Sequence, residues 1–347
     1  EQKRKQLWES WKEWARQSQS SLHEWLTERT ALERKLESHR KDALARFGID
    51  AARECAGLEP LLRTSRDIFD FELRRYSRGR TLTDILSAFR MPMCDSLADW
   101  DDLQAFARNW SDACHITSLP SLKRSAEEPA EQQVLPVNPP SRVVLRYGTA
   151  AGPADAIRFQ QELGRASFYC GMNSELSSTD RLLGDPMLPH FWACLYANLL
   201  SRPAGVARLI RTGSEDLAPR LNLILRFWNR YDCLLAMYHE RLASDLKEAQ
   251  DLYVACWESS FSIEPPHFLY LYDLERSGDS LLRVCASRSA AAVTERLRSL
   301  YGNDWFASQR SARRLRDYRH EGYRLRLKDI LQDLDAGEGE NFLIPSS

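Results

Sequence analysis

Three His-Glu dipeptides, His23-Glu24, His239-Glu240 and His320-Glu321, are the first residues in this chain to test for metal-dependent hydrolysis. A second histidine four residues after the first would put two imidazoles on one helix face beside a glutamate base. Those positions hold Thr27, Ala243 and Arg324, so no His-Glu-x-x-His helix is present and each dipeptide reads as a charged pair on a surface helix. A Gly-rich phosphate loop and a Gly-x-Ser-x-Gly elbow are absent too. Chemistry is concentrated instead in 155–166, Asp-Ala-Ile-Arg-Phe-Gln-Gln-Glu-Leu-Gly-Arg-Ala, where Gln161, Glu162, Gly164 and Arg165 lie on an apolar-lined helical pattern. Residues four apart share a helix face, which sets Gln161 with Arg165, and Arg165 can pair with Glu162 or with an acidic group across a cleft.

The elements that must position these residues are helical. Over 11–36, Trp11, Ala15, Ser18, Leu22, Trp25, Leu32 and Leu36 recur at steps of four and three, with Arg29 on the same stripe. That is an amphipathic helix burying one face on a bundle. Helical patterning also marks 67–75, 97–110 and most of 156–334, where Gly and Pro are sparse. Composition breaks at 118–153, which holds Pro120, Pro129, Pro136, Pro139, Pro140 and Pro153 and reads as a connector. Inside it Arg142-Val143-Val144-Leu145-Arg146-Tyr147 is the one convincing strand, so a small hairpin or edge sheet is all the β structure expected. The reading is a mainly α chain in four segments: a helical region 1–117, the connector 118–153, a helical domain 154–335 and a tail 336–347. The densest basic run, Arg310, Arg313, Arg314, Arg316, Arg319, Arg324, Arg326 and Lys328, is interleaved with Asp317, Glu321 and Asp329 and reads as a solvated, ion-paired face.

Composition narrows the partners. Forty-eight basic and forty-nine acidic residues give a net charge of −1, which leaves no positive excess for a phosphate backbone, so nucleic acid is not an expected partner. The longest apolar run, 191–200, is too short to span a bilayer and is interrupted by Asn198, and 1–16 has no signal-peptide core. The eight cysteines form no Cys-x-x-Cys pair and no disulfide framework. A reducing cytoplasm is the expected compartment, with no membrane partner.

The order of features from Pro140 onward carries a resemblance. The strand 142–145, a Gly-containing turn, Asp155 and a helix with Glu162-x-Gly164-x-Ala166 resemble the active-site region of the thimet oligopeptidase and oligoendopeptidase-F metallopeptidases. Members of that family carry His-Glu-x-Gly-His-Ala here. The resemblance places Gln161 at the first histidine, Glu162 at the general base and Arg165 at the second histidine. Downstream, Arg181-Leu-Leu-Gly184-Asp185-Pro-Met-Leu-Pro-His190-Phe-Trp-Ala193 is similar to the helix that donates the third ligand, a glutamate, and the ungapped match is His190. Closing elements are also similar, in 300–308, 315–318 and Glu321-Gly322-Tyr323-Arg324. The family has a longer N-terminal lobe than 1–117 offers, so the resemblance implies a cleft roof that is either shortened or supplied by another chain, and the family's substrate-facing tyrosines would fall around 266–272.

The resemblance implies a large helical oligopeptidase-like fold whose zinc triad has become Gln161, Arg165 and His190. A neutral amide is a poor zinc ligand, a guanidinium offers no lone pair, and its fixed charge opposes a dication. No cofactor is expected, and zinc is expected to be absent. Cys170 and Cys194 could rebuild a site with His190, but no known ligand spacing supports that. His190 also has a plainer reading, as a histidine packed beside Phe191 and Trp192. Three functions follow: an inactive metallopeptidase-like protein binding a peptide or protein partner, a metal-free enzyme using Glu162, Arg165 and His190 as base, oxyanion stabiliser and acid, or a zinc oligopeptidase with non-standard ligands.

Overall fold

The apolar periodicity becomes helix over most of the chain in the computed structural model, which describes residues 2–77, 79–90, 102–125, 132–148, 152–210, 217–242, 248–337 and 342–343. The first elements are α1 (Gln2–Arg46), α2 (Ala51–Leu73), α3 (Leu82–Arg90) and α4 (Leu103–Ala113), followed by β1 (Ser121–Arg124), β2 (Gln133–Asn138) and β3 (Arg142–Tyr147). Then come α5 (Pro153–Cys170), α6 (Ser178–Leu182), α7 (Met187–Ala197), α8 (Pro203–Leu209), α9 (Leu217–Arg241), α10 (Ala249–Ser260) and α11 (Tyr270–Arg276). The chain closes on α12 (Ser280–Tyr301), α13 (Gln309–His320) and α14 (Leu327–Leu334). The fold is mainly α with one small sheet. No helix among the described residues is long and apolar enough to cross a membrane.

Contacts divide the chain into two units, Glu1–Ala88 with Arg226–Val284, and Phe89–Leu225 with Cys285–Ser347. In the first, α1 runs well beyond the stripe read from sequence and its seam differs. Trp8, Ala15 and Leu26 are buried, whereas Trp25 is 46 % exposed with the Arg29 guanidinium 5.3 Å over its ring. The seam follows the 3.6-residue period to Leu26, because a strict four-three alternation drifts around a straight helix. The side chains of Leu32 and Leu36 lie outside the described residues. Arg230 is fully buried here, donating to the Ser260 and Leu62 carbonyls and the Ser65 hydroxyl, and burial lowers its pKa to about 10.

The second unit contains the sheet, the small β element expected inside the connector, with two further strands beside the one read from sequence. Its order is β1-β3-β2, with β1 parallel and β2 antiparallel to β3. Neither outer strand announces itself: β1 is Ser-Leu-Lys-Arg, and β2 carries Pro136. Both exist because β3 offers them hydrogen bonds and α5 covers Val134, Val143, Leu145 and Tyr147, so tertiary context outweighs weak propensity. Pro136 is tolerated since β2 is an edge strand and its register shifts between Pro136 and Asn138. Of the pattern expected over 97–110, the described part is α4; residues 91–101 lie outside the described residues.

Candidate functional site

α5 begins at Pro153, whose fixed φ and missing N–H suit the first turn of a helix. It packs on α7 at Gly164, where a Cβ would stand 2.5 Å from the Trp192 carbonyl oxygen and 3.0 Å from Ala193 Cα. Only a residue without a side chain permits that approach. The closeness of the two backbones brings the neighbouring side chains Arg165 and His190 into contact.

Arg165 is the hub of the resulting cluster. Its Nη1 lies 2.9 Å from Glu162 Oε1 and 3.2 Å from Oε2, one turn back on α5. Its Nη2 lies 3.4 Å from His190 Nδ1 on α7. A guanidinium can only donate, so this contact requires a lone pair on Nδ1 and puts the imidazole proton on Nε2. The Arg165 Nε is buried with no hydrogen-bond partner. Glu162 is tied to the sheet as well, since the Val134 backbone N–H of β2 donates to Oε2 at 3.2 Å. Both carboxylate oxygens are therefore engaged. Gln161 is half-buried on the same helix and takes no part in these hydrogen bonds.

Two phenols border the cluster, and the sequence reading missed both. The Tyr169 hydroxyl, one turn beyond Arg165, lies 3.3 Å from that of Tyr323. Tyr323 packs on Gly184, where a Cβ would come within 2.5 Å of the Tyr323 Cβ. Burial raises the Tyr169 pKa against the opposing pull of its Tyr323 hydrogen bond and the Arg165 charge, and burial likewise raises Tyr323. The spacing Glu162, Arg165, Tyr169 on one helix face was the available signal for the first, while nothing local marks Tyr323. Asp185 pins the start of α7 to α14 by accepting the Met187 and Leu327 N–H groups, each at 2.9 Å; burial raises its pKa against those two donors.

Other candidates lie elsewhere. Tyr270 and Tyr272 belong to the first unit, where the Tyr270 hydroxyl accepts from Gln19 and Tyr272 meets Trp14 edge-on. The basic run is not wholly a solvated face. Arg319 is 4 % exposed, donates to the Tyr196 hydroxyl at 3.0 Å and sits 5.4 Å over the Trp192 ring. Apolar rings beneath α13 can take a guanidinium face, which a charge count along the helix does not register. Arg314 pairs with Asp333 and Arg324 with Asp180, rather than with the acids inside the run. Cys170 is buried and its pKa is pushed up to about 12 by burial; Cys194 is half-buried.

Zinc does not fit the donor set that α5 and α7 present. Of Gln161, Arg165 and His190 only the last supplies a strong ligand, and its Nδ1 faces the Arg165 cation. Among the described residues no three His, Cys, Asp or Glu side chains converge as a metal-binding group. No family model matches the chain, and no curated protein matches it.

Proposed function

We propose that this chain is a catalytically inactive, metal-free protein on a scaffold like that of the thimet oligopeptidases and oligoendopeptidase F, and that its helical cleft binds a peptide or protein partner. The observation that carries this reading is the double engagement of Glu162 by Arg165 and the Val134 N–H. A base must have a lone pair aimed at the water it deprotonates, and a carboxylate committed to an internal cation and a sheet N–H is a structural tie instead. Arg165 supplies positive charge where the resemblance would put the metal. The eight cysteines have no Cys-x-x-Cys spacing and no disulfide framework in sequence, which supports a reducing compartment and a cytoplasmic protein.

Elemental analysis of protein purified without added metal, joined to a quenched fluorescent peptide assay, tests the reading. Zinc far below one per chain and no chelator-sensitive hydrolysis are expected. Stoichiometric zinc or cleavage that stops with a chelator overturns it. A second reading, a metal-free enzyme, draws support from the adjacency of His190, Arg165, Tyr169 and Tyr323. It predicts a turnover lost in both His190→Ala and Tyr323→Phe, which the first reading does not.

A further inference from the structure

The face of the sheet turned away from α5 has an uncompensated charge pattern. Strand register sets Lys123 directly opposite Arg146 across β1 and β3, and Gln133 opposite Arg146 on the other side. Arg142 lies on the same face as Arg146, four residues earlier on β3, because side chains alternate along a strand. Lys123, Gln133, Arg142 and Arg146 are all exposed. Lys123, Arg142 and Arg146 form no ion pair among the described residues. Like charges directly opposite across two strands cost stability. On a chain with net charge −1, this face concentrates cations that have no ion-pair partner among the described residues.

We propose that this face docks an extended acidic segment of a partner protein. Arg142 and Arg146 are about 13 Å apart along a strand rising ~3.3 Å per residue, which matches carboxylates four residues apart on an extended peptide. Guanidinium forks suit carboxylates in two-point contact, and Lys123 adds a second cation at the Arg146 end. Between the charged rows lie Leu135, Val144 and Ser121, of which Val144 is only 7 % exposed, so the row adds no third charge and would meet an uncharged residue midway between the two acids. A nucleic acid strand carries a phosphate at every nucleotide and would set charge against that step. The proposal does not depend on Glu162, Arg165 or His190, which lie on the α5 side of the sheet.

Fluorescence anisotropy on the full chain tests it, with a labelled Thr/Val peptide carrying glutamates four residues apart, its Gln-for-Glu counterpart, and a short single-stranded DNA. Expected are saturable binding of the acidic peptide that weakens as salt rises, and about tenfold weaker binding by K123Q/R142Q/R146Q, checked as folded by circular dichroism. The proposal fails if the acidic peptide does not bind, if the triple variant or the Gln peptide binds equally well, or if the DNA binds more tightly than the peptide. Residues 126–131, which lie between β1 and β2, contain Glu127, Glu128 and Glu131, so E127Q/E128Q/E131Q is run in parallel. Peptide binding seen only in that variant would make the acidic occupant the chain's own segment and overturn the external partner.

Discussion

Glu162→Ala removes a carboxylate on which two other groups depend. Arg165, with 27 % of its side chain exposed, loses its counter-charge, and the Val134 N–H loses its acceptor. Stranding a fully buried charge costs about 3–5 kcal/mol, but Arg165 retains access to water, so roughly 1–2 kcal/mol is the appropriate share here. The orphaned backbone donor adds about 1–3 kcal/mol. Together the loss is about 2–5 kcal/mol, a large part of the stability of an ordinary domain. Glu162→Gln keeps an amide oxygen for Val134 while removing the charge, and should lose about half as much. Adding Arg165→Met to Glu162→Gln removes both charges and should recover part of that loss, a coupling of about 0.5–2 kcal/mol. Urea titrations followed by tryptophan fluorescence and far-UV circular dichroism read these differences. A Glu162→Ala midpoint equal to wild type would refute the tie, and a Glu162→Gln loss equal to that of Glu162→Ala would refute the contribution of the Val134 hydrogen bond.

Gly164→Ala drives a methyl group into the Trp192 carbonyl at 2.5 Å, so we expect a loss of about 1–3 kcal/mol and a melting temperature lower by several degrees in scanning calorimetry; an unchanged Tm would contradict the close helix contact. The Asp333 pKa is lowered by hydrogen bonds from Tyr318 and Arg314, and that of Glu59 by Arg241 and Arg63. A depressed native pKa contributes stability above the unfolded value of about 4 that is lost as pH falls through the native value, so Asp333→Asn and Glu59→Gln should reduce the acid-side loss of stability in urea titrations from pH 6 downward to about pH 2. The triple change Gln161→His, Arg165→His and His190→Glu should raise zinc uptake above wild type in elemental analysis, with turnover harder to regain because ligand-orienting neighbours are not restored. No added zinc in a folded triple variant would remove the assignment of these positions to a former metal site.

Patterns with a long period and a clear apolar face were legible in the sequence, which is why the helices around Glu162 and His190 could be anticipated. β3 was legible for the same reason, as a β-branched run between turn signals. β1 and β2 were not, because Ser-Leu-Lys-Arg and a Pro-containing hexamer become strands only by pairing with β3, β2 also packing on α5. The Arg165–His190 contact depends on the close crossing at Gly164, and the placement of Tyr323 against Gly184 depends on loop geometry. Arg319 was misjudged because its partners, Trp192 and the Tyr196 hydroxyl, are distant in sequence and share no period with α13.

Charge balance explains why the substitutions belong together on the proposed reading. A zinc dication with a ligand glutamate and a base glutamate sums to zero, the imidazoles being neutral. Here Arg165 and Glu162 sum to zero by themselves, and His190 accepts a hydrogen bond through Nδ1 as a neutral ring. A glutamate at position 190 would leave two carboxylates beside one cation, and a histidine at 165 would leave Glu162 without its counter-charge in a largely buried place. Burial makes either imbalance costly, since unpaired charge is penalised most where water is least available. The same arithmetic orders the reversal: Arg165→His alone should destabilise the chain, and adding His190→Glu without metal should destabilise it further. Zinc, bound once all three ligand changes are present, is the component that returns the site to neutrality.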